Sequence, residues 1–138
     1  MEELNTLRQL IEQGRYDDAL LVIDELEEMS KEDKLNKIFS YALILLIYLI
    51  KRQAEQRTTR SWEISILHGA VQIKLTNRRR KAGGVYASRE ELQEIFDEAY
   101  DMAMKKASLE VWEGKFDENE LAARLDKGAI LQEDLKEI

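Results

Sequence analysis

The sequence predicts an all-α fold: a single-domain helical bundle of about six helices, spanning residues 1–138, around a long apolar central helix. The 138 residues contain no proline, which is the residue that most strongly disrupts helix interiors. Apolar residues recur at spacings of three and four along most of the chain, as they do on the buried face of an amphipathic helix. The stretch 38–50 is apolar apart from Ser40, and a helix that is apolar all round belongs in a core.

The first two predicted helices form a short antiparallel hairpin. Residues 2–13 place Leu4, Leu7 and Ile11 on one face. Gly14 ends this helix, because glycine readily adopts the left-handed conformation that follows many helices. The second helix starts at once, and its predicted buried side consists of Ala19, Val22, Ile23, Leu26 and Met29.

A third helix is predicted from residue 31 to about residue 57. Ser30 is a favoured N-cap residue, and the acids Glu32 and Asp33 suit the positive end of a helix dipole. This helix carries the apolar stretch 38–50. A membrane span needs about 20 residues, so we expect this shorter stretch to lie in the protein core.

The fourth helix begins at Ser61-Trp62, after two threonines that are weak helix formers. Apolar and polar residues alternate over 62–66, which is typical of a strand. Over the longer window 62–75, however, the apolar residues also recur at helical spacing. The helical pattern explains more residues, and we predict a helix that fades in the run 77–81 and stops at Gly83-Gly84.

Two capping sequences open the last predicted helices. Ser88 and Glu91 have the spacing of a capping box, and the apolar pattern of this fifth helix continues until a glycine at 114. Asp117 and Glu120 form a second capping box, which opens a short helix that stops near Gly128. Residues 129–138 carry no clear pattern, so a loosely ordered tail is one interpretation of them.

Charge is divided unevenly along the chain. The segment 51–81, named here the basic segment, contains nine Lys or Arg and two acids and has a net charge of +7. The whole chain has a net charge of −7, so the remaining residues sum to −14. A chain polarised in this way can attract partners of either sign.

Two short groups of charged residues are the candidate interaction residues. The group named here the basic run consists of Arg78, Arg79, Arg80 and Lys81. The group named the acidic row, whose spacing places it on one helical face, consists of Glu90, Glu94, Asp97 and Asp101. Three interpretations stay open: a solvated helix end with favourable charge, a contact between charges of opposite sign on a protein partner or a second copy, and phosphate binding.

We predict a non-catalytic protein-interaction module that binds an unidentified protein or self-associates as a homo-oligomer. The alternative is a nucleic-acid-binding protein that uses the basic segment, with Trp62 or Tyr86 stacking on a base. A sequence pI near 4.9 disfavours this alternative, because nucleic-acid-binding domains are usually strongly basic.

The motifs of enzymes and cofactor sites are missing from the sequence. His68 is the single histidine and cysteine is absent, so a zinc site lacks its usual ligands. The acidic row has the oxygen ligands that Mg²⁺ or Ca²⁺ prefer, but such rows are more often solvated. Neither a phosphate-binding loop nor a nucleophile elbow occurs. We therefore expect no catalytic residue, no metal and no cofactor.

Composition also bears on the cellular compartment. Without cysteine, nothing argues for an oxidising environment. The first residues are acidic and amphipathic, unlike a signal peptide. We expect a cytoplasmic protein with no membrane association.

Three segments occur in a characteristic order. Residues 14–34 begin with glycine and an aromatic residue and end in an acidic helix; the apolar run 43–53 follows; Ser61-Trp62 then precedes two isoleucines. In this order, and in a later alanine and tyrosine pattern at 99–103, the chain resembles the family known as domain of unknown function 29. The resemblance implies an all-helical fold and no characterised activity.

The chain departs from the family pattern at three places. Tyr48 stands where family members usually carry histidine, and Arg52 stands where they usually carry tryptophan. A proline that usually precedes the basic stretch before Ser61-Trp62 is also missing. Any role of that histidine or tryptophan therefore does not transfer to this chain.

Overall fold

A computed structural model describes residues 2–79 and 83–137. Within them the chain forms six α-helices, which confirms the predicted all-α class. The helices are α1 (Glu2–Glu12), α2 (Tyr16–Glu55), α3 (Arg60–Asn77), α4 (Arg89–Ser108), α5 (Glu118–Ala122) and α6 (Lys127–Glu137). None of the helices in these ranges is long and apolar enough to cross a membrane.

The chain divides into two compact units, one ending at Lys34 and the other beginning at Leu35. In the first unit, Gly14 has a φ of +72° in the turn between α1 and α2, as predicted for this glycine. Leu10 and Ala19 are buried. The predicted buried side of the second helix is wrong at Ile23, which is 42% exposed; two other members, at 22 and 26, are half-buried, and the side chain of Met29 lies outside the described residues.

The second and third predicted helices are one continuous helix, α2, of 40 residues. The predicted break at Ser30 is therefore wrong, and Ser30 lies inside the helix with its side chain exposed. Neither glycine nor proline occurs between Tyr16 and Glu55. In a helix interior, serine is only about 0.5 kcal/mol less favourable than alanine. The strong helix formers around Ser30 outweigh its capping preference.

The apolar stretch of α2 supplies one face of the second unit's core. Its buried residues, each at most 2% exposed, are Ile38, Ala42, Leu45, Leu46, Leu49 and Ile50. Burying a Leu or Ile side chain contributes about 1.5–3 kcal/mol, so this face is a main source of stability. The opposite side is less enclosed, because Ile44 is 45% exposed. The expectation of a helix surrounded on all sides is not met at that position.

Helix α3 confirms the helical interpretation of 62–75. Thr59 caps it, and its hydroxyl accepts a 3.0 Å hydrogen bond from the backbone N–H of Trp62. Gly69 lies on the buried face, where a Cβ atom would approach the Cβ of Leu45 to 3.3 Å. The absence of a side chain at Gly69 thus lets α3 lie close to α2.

Helix α3 ends at Asn77, not at the two glycines that the sequence pattern suggested. The buried Asn77 Oδ1 accepts a 2.7 Å hydrogen bond from Ala87 N–H, while its Nδ2 donates to the Ala87 carbonyl at 3.1 Å. The N–H of Tyr86 also donates to the Asn77 carbonyl at 2.9 Å. Because these bonds tie the helix end to residues 86–87, the chain turns back there, and Arg78 forms an isolated antiparallel bridge with Val85.

The capping box of α4 is confirmed. The Ser88 hydroxyl accepts from Glu91 N–H at 3.1 Å, and the Glu91 carboxylate accepts from Ser88 N–H at 3.3 Å. The helix ends at Ser108, however, earlier than the predicted end at a glycine. A 3-10 turn follows at Val111–Gly114, in which Trp112 and Glu113 have φ of 49° and 58°. The backbone therefore leaves the helical path before Gly114.

The C-terminal residues form a regular helix in place of a loose tail. Asp117 caps α5 by accepting from Glu120 N–H at 2.8 Å. Gly128 does not end this helix; it lies in the first turn of α6, where Asp126 accepts from Ala129 N–H at 3.1 Å. Ile130 is 3% exposed and joins the core. Tertiary burial of this residue stabilises a segment whose own sequence pattern is weak.

Candidate interaction surface

The acidic row lies on one face of α4. Glu90, Glu94, Asp97 and Asp101 are all exposed and follow one another at spacings of three or four residues. Residues so spaced share a helical face, so the predicted juxtaposition of the four carboxylates is present. Glu90 is also in the first turn, where the helix dipole favours negative charge.

A groove of about 450 Å³ lies between α4 and α6, beside the acidic row. Three carboxylates of the row, those of Glu90, Glu94 and Asp97, line it together with two glutamine side chains. Its apolar lining comes from Phe96, Leu131 and Leu135. The groove therefore combines negative charge with an apolar surface, and it is named here the acidic groove.

Sequence reasoning found the carboxylates of the acidic groove but missed its apolar lining. The row follows from helical spacing within one element. Leu131 and Leu135 belong to α6, a segment without a clear pattern, and they meet α4 only through tertiary packing. Their spacing of four residues is the one sequence signal that could have suggested them.

Contacts near the two ends of the acidic groove tie α4 to α6. The Lys127 ammonium lies 3.0 Å from the Asp97 carboxylate and 5.0 Å from the ring centroid of Tyr100. Burial raises the pKa of Tyr100, and the charges of Asp101 and Asp126 add to this shift. Arg89 donates to the Leu135 carbonyl at 3.1 Å. These contacts join α4 to α6 beside the groove.

The described residues of the basic run, Arg78 and Arg79, directly follow the end of α3 at Asn77. Arg78 is exposed and extended, and Arg79 is half-buried with its guanidinium 5.5 Å from the ring centroid of Tyr86. Arg80 and Lys81 lie outside the described residues. Arg78 is the C-cap residue of α3, so its charge lies at the negative end of the helix dipole, as the helix-end interpretation expects.

Several cations of the basic segment already have acidic partners within the fold. Lys51 lies 3.5 Å from Glu110, and Arg57 lies 2.9 Å from Glu55. Trp62, the predicted base-stacking residue, has both cations beside it: their charged groups are 5.0 and 4.7 Å from its ring centroid. These cations are therefore engaged in intramolecular contacts.

Arg52 joins three helices. Its guanidinium contacts Glu63 of α3 at 2.9 Å and also pairs with Glu133 of α6. Burial alone lowers the pKa of Arg52, but the hydrogen bonds with both carboxylates outweigh it and raise the pKa. Hydrogen bonds from the Thr58 hydroxyl, at 2.6 Å, and from Arg52 lower the pKa of Glu63.

Helix α3 presents a second surface that the sequence analysis did not identify. Four apolar residues 39–60% exposed lie on its outer face: Ile64, Leu67, Val71 and Leu75. They are named here the α3 stripe. The sequence contains two apolar sets on this helix, and burial of Ile66, Ala70 and Ile73 leaves the other set uncovered.

His68 lies on the exposed side of α3, and its ring meets the Tyr41 ring edge-on with centroids 6.4 Å apart. Within residues 2–79 and 83–137, no three His, Asp or Glu side chains come together as metal ligands do. The imidazole therefore has an aromatic neighbour in place of a ligand set.

Comparison with known proteins adds a family but no activity. The model of the family described as domain of unknown function DUF29 matches residues 4–134. No curated protein and no solved structure matches the chain. Since the family model covers nearly the whole chain, this protein belongs to the DUF29 family.

Proposed function

We propose that this protein is a non-catalytic interaction module that binds a positively charged segment of a partner protein in the acidic groove. The observation that supports it is the combination of three carboxylates with the apolar side chains of Phe96, Leu131 and Leu135 in one groove. Arg and Lys of a partner pair with Glu90 and Glu94, whereas Asp97 already pairs with Lys127 of the same chain. Such ion pairs favour association rate and specificity. An apolar residue of the same segment packs on the leucines, as in helix-in-groove recognition.

The side chains of the acidic groove suit binding better than catalysis. Among its described lining residues there is no serine, threonine, cysteine or histidine, so the lining offers none of the hydroxyl or thiol nucleophiles that an adjacent base activates. Carboxylates, glutamines and leucines can attract, orient and cover a cationic peptide. We therefore assign the protein no enzymatic activity and no cofactor.

A labelled peptide tests this proposal. The probe is an amphipathic helix with arginine on one face and leucine on the other, and binding is followed by fluorescence anisotropy. A second probe carries residues 77–86 of this chain and asks whether another copy can supply the cationic segment. We expect binding that weakens with salt, because ion pairs at an exposed groove are screened.

A pair of triple variants separates the acidic groove from general negative charge. The first variant is Glu90→Gln, Glu94→Gln and Asp97→Asn. Its control, with the same change in net charge, is Glu2→Gln, Glu12→Gln and Glu113→Gln, all exposed and outside the groove lining. The groove variant should bind the probe about tenfold more weakly or worse, and the control should bind as the parent does. Equal losses in both, or none in either, contradict the proposal.

Nucleic-acid binding through the basic segment has less support. Lys51, Arg52 and Arg57 are paired with carboxylates of the same chain, so they have little charge left for phosphates. The exposed Arg78 is the observation that favours this alternative. A gel shift with single-stranded and duplex DNA and RNA, steeply dependent on salt, would support it. No shift at low ionic strength removes it.

We also propose that the protein acts in the cytoplasm. The support is its composition, since a chain without cysteine draws no stability from the disulfides that are typical of oxidising compartments. Fractionation of cells that express an epitope-tagged chain from its native locus tests this compartment.

A further inference from the structure

The α3 stripe is an apolar face with basic residues beside it. Its four members are spaced i, i+3, i+7 and i+11, so they form a continuous row along one side of the helix. Arg60 and Lys74 are exposed on the same side, and the exposed Arg78 follows just beyond the helix end. Contiguous exposed apolar surface of this kind commonly marks an interaction site.

The start of α2 also carries an exposed apolar face, and the residues around it are acidic where those beside the α3 stripe are basic. Tyr16, Leu20 and Ile23 are 64, 58 and 42% exposed, and their spacing of i, i+4 and i+7 places them in one row. Residues 16–28 contain six acids and no basic residue. The exposed Asp17 and Asp24 lie beside the row and are about two helical turns apart. This row is named here the α2 face.

We propose that two copies of this chain associate by packing the α3 stripe of one copy against the α2 face of the other. Packing either face against its own copy opposes like charges, which disfavours the complex. Packing one face against the other brings basic residues beside the α3 stripe towards acidic residues beside the α2 face, and it covers apolar side chains of both rows. Each copy carries both faces, so either copy can supply either side of this contact.

Charge exchange between the faces tests the pairing. One variant, Arg60→Glu with Lys74→Glu, makes the α3 stripe acidic; the other, Asp17→Lys with Asp24→Lys, makes the α2 face basic. Sedimentation velocity at low salt is measured over a range of concentrations for each variant. We expect a dimer for the parent chain and a dissociation constant raised about tenfold or more for each variant alone.

An equimolar mixture of the two variants is the decisive measurement. In a mixed dimer the acidic α3 stripe of one variant meets the basic α2 face of the other. The mixture should therefore recover the dimer that each variant has lost. A control with Lys105→Glu and Lys106→Glu, both exposed in the last turn of α4, should dimerise as the parent chain does.

Three results would overturn the inference. They are a parent chain that stays monomeric at every concentration, variants that dimerise like the parent, and a mixture that fails to recover the dimer. Far-ultraviolet circular dichroism on each variant shows that a loss is not unfolding. The neutralised groove variant keeps the dimer in this scheme, and the α3 variants keep peptide binding, so the two proposals fail independently.

Discussion

Asn77 ends α3 and fixes the direction that the chain takes after this helix. Its side chain is 6% exposed and pairs with both the N–H and the C=O of Ala87. An asparagine side chain has the same donor and acceptor as a peptide group, so it takes the place of a strand partner. The turn that carries Arg78 and Arg79 is held by this pair of bonds.

Substitution of Asn77 should destabilise the protein markedly. Asn77→Ala leaves both polar groups of Ala87 buried without a partner, at a cost of about 1–3 kcal/mol for each. Urea unfolding followed by circular dichroism measures the loss. The control is Lys74→Ala, an exposed residue one turn earlier, which should change the free energy of unfolding by less than about 0.5 kcal/mol. Equal stability of the two variants would show that the bonds to Ala87 do not hold the turn.

Glu63 should make stability depend on pH. Its pKa in the folded chain lies below the ordinary value of 4.5, so its carboxylate contributes stability at neutral pH that is lost as the pH falls through the folded pKa. The unfolding free energies of the parent and of Glu63→Gln should therefore differ at pH 7 and converge as the pH falls through the folded pKa of Glu63. The exposed Glu98, replaced by Gln, is the control. A gap between parent and Glu63→Gln that is unchanged at low pH contradicts this role.

At the scale of elements, the apolar stretch of α2 has a buried and an exposed side. Leu46 is fully buried, while Ile44 is 45% exposed. Leu46→Ala should cost about 2–5 kcal/mol, because it removes packed methyl groups and leaves a cavity. Ile44→Ala is the matched control and should cost less than about 1 kcal/mol. A melting midpoint for Leu46→Ala within error of the parent would show that this stretch is not the core.

Elements with local signals could be predicted from sequence, and elements ended by tertiary contacts could not. Ser88 and Glu91 cap α4 through bonds within four residues, so the sequence is sufficient there. Asn77 ends α3 through Ala87, ten residues away, and nothing next to Asn77 indicates that partner. Ser30 shows the reverse error, because a local capping preference was outweighed by the surrounding helix formers.

The same distinction explains the candidate surfaces. The acidic row is a periodic pattern within α4, and it was predicted. The acidic groove needs Leu131 and Leu135 from another helix. The α3 stripe also depends on packing, since periodicity cannot tell which of two apolar sets on one helix is buried.

At the scale of the whole molecule, burial is unequal between the two compact units. Among the described residues up to Lys34, Leu10 and Ala19 are the buried apolar side chains, whereas the unit from Leu35 onward contains a core to which five α-helices contribute. Regions with few buried contacts open at lower free energy. The first unit should therefore be the less stable part of the free chain.

Hydrogen exchange read by mass spectrometry checks this difference. Amides of residues 2–34 should exchange faster than those of 38–50, although both stretches are helical, and low denaturant should widen the gap. The exchange is measured at low protein concentration, where the monomer predominates, so that the comparison concerns the free chain. Equal protection of the two stretches would show that the molecule opens as one cooperative unit.

The chain contains two tryptophans in unlike surroundings. Trp62 is half-buried beside two cations, whereas Trp112 is 45% exposed in a turn with left-handed backbone. Their indoles should emit at different wavelengths, shorter for the sheltered ring and longer for the hydrated one. Replacing either by phenylalanine would leave a single tryptophan, so loosening near α2 and α3 could be followed separately from loosening after α4, without any added dye.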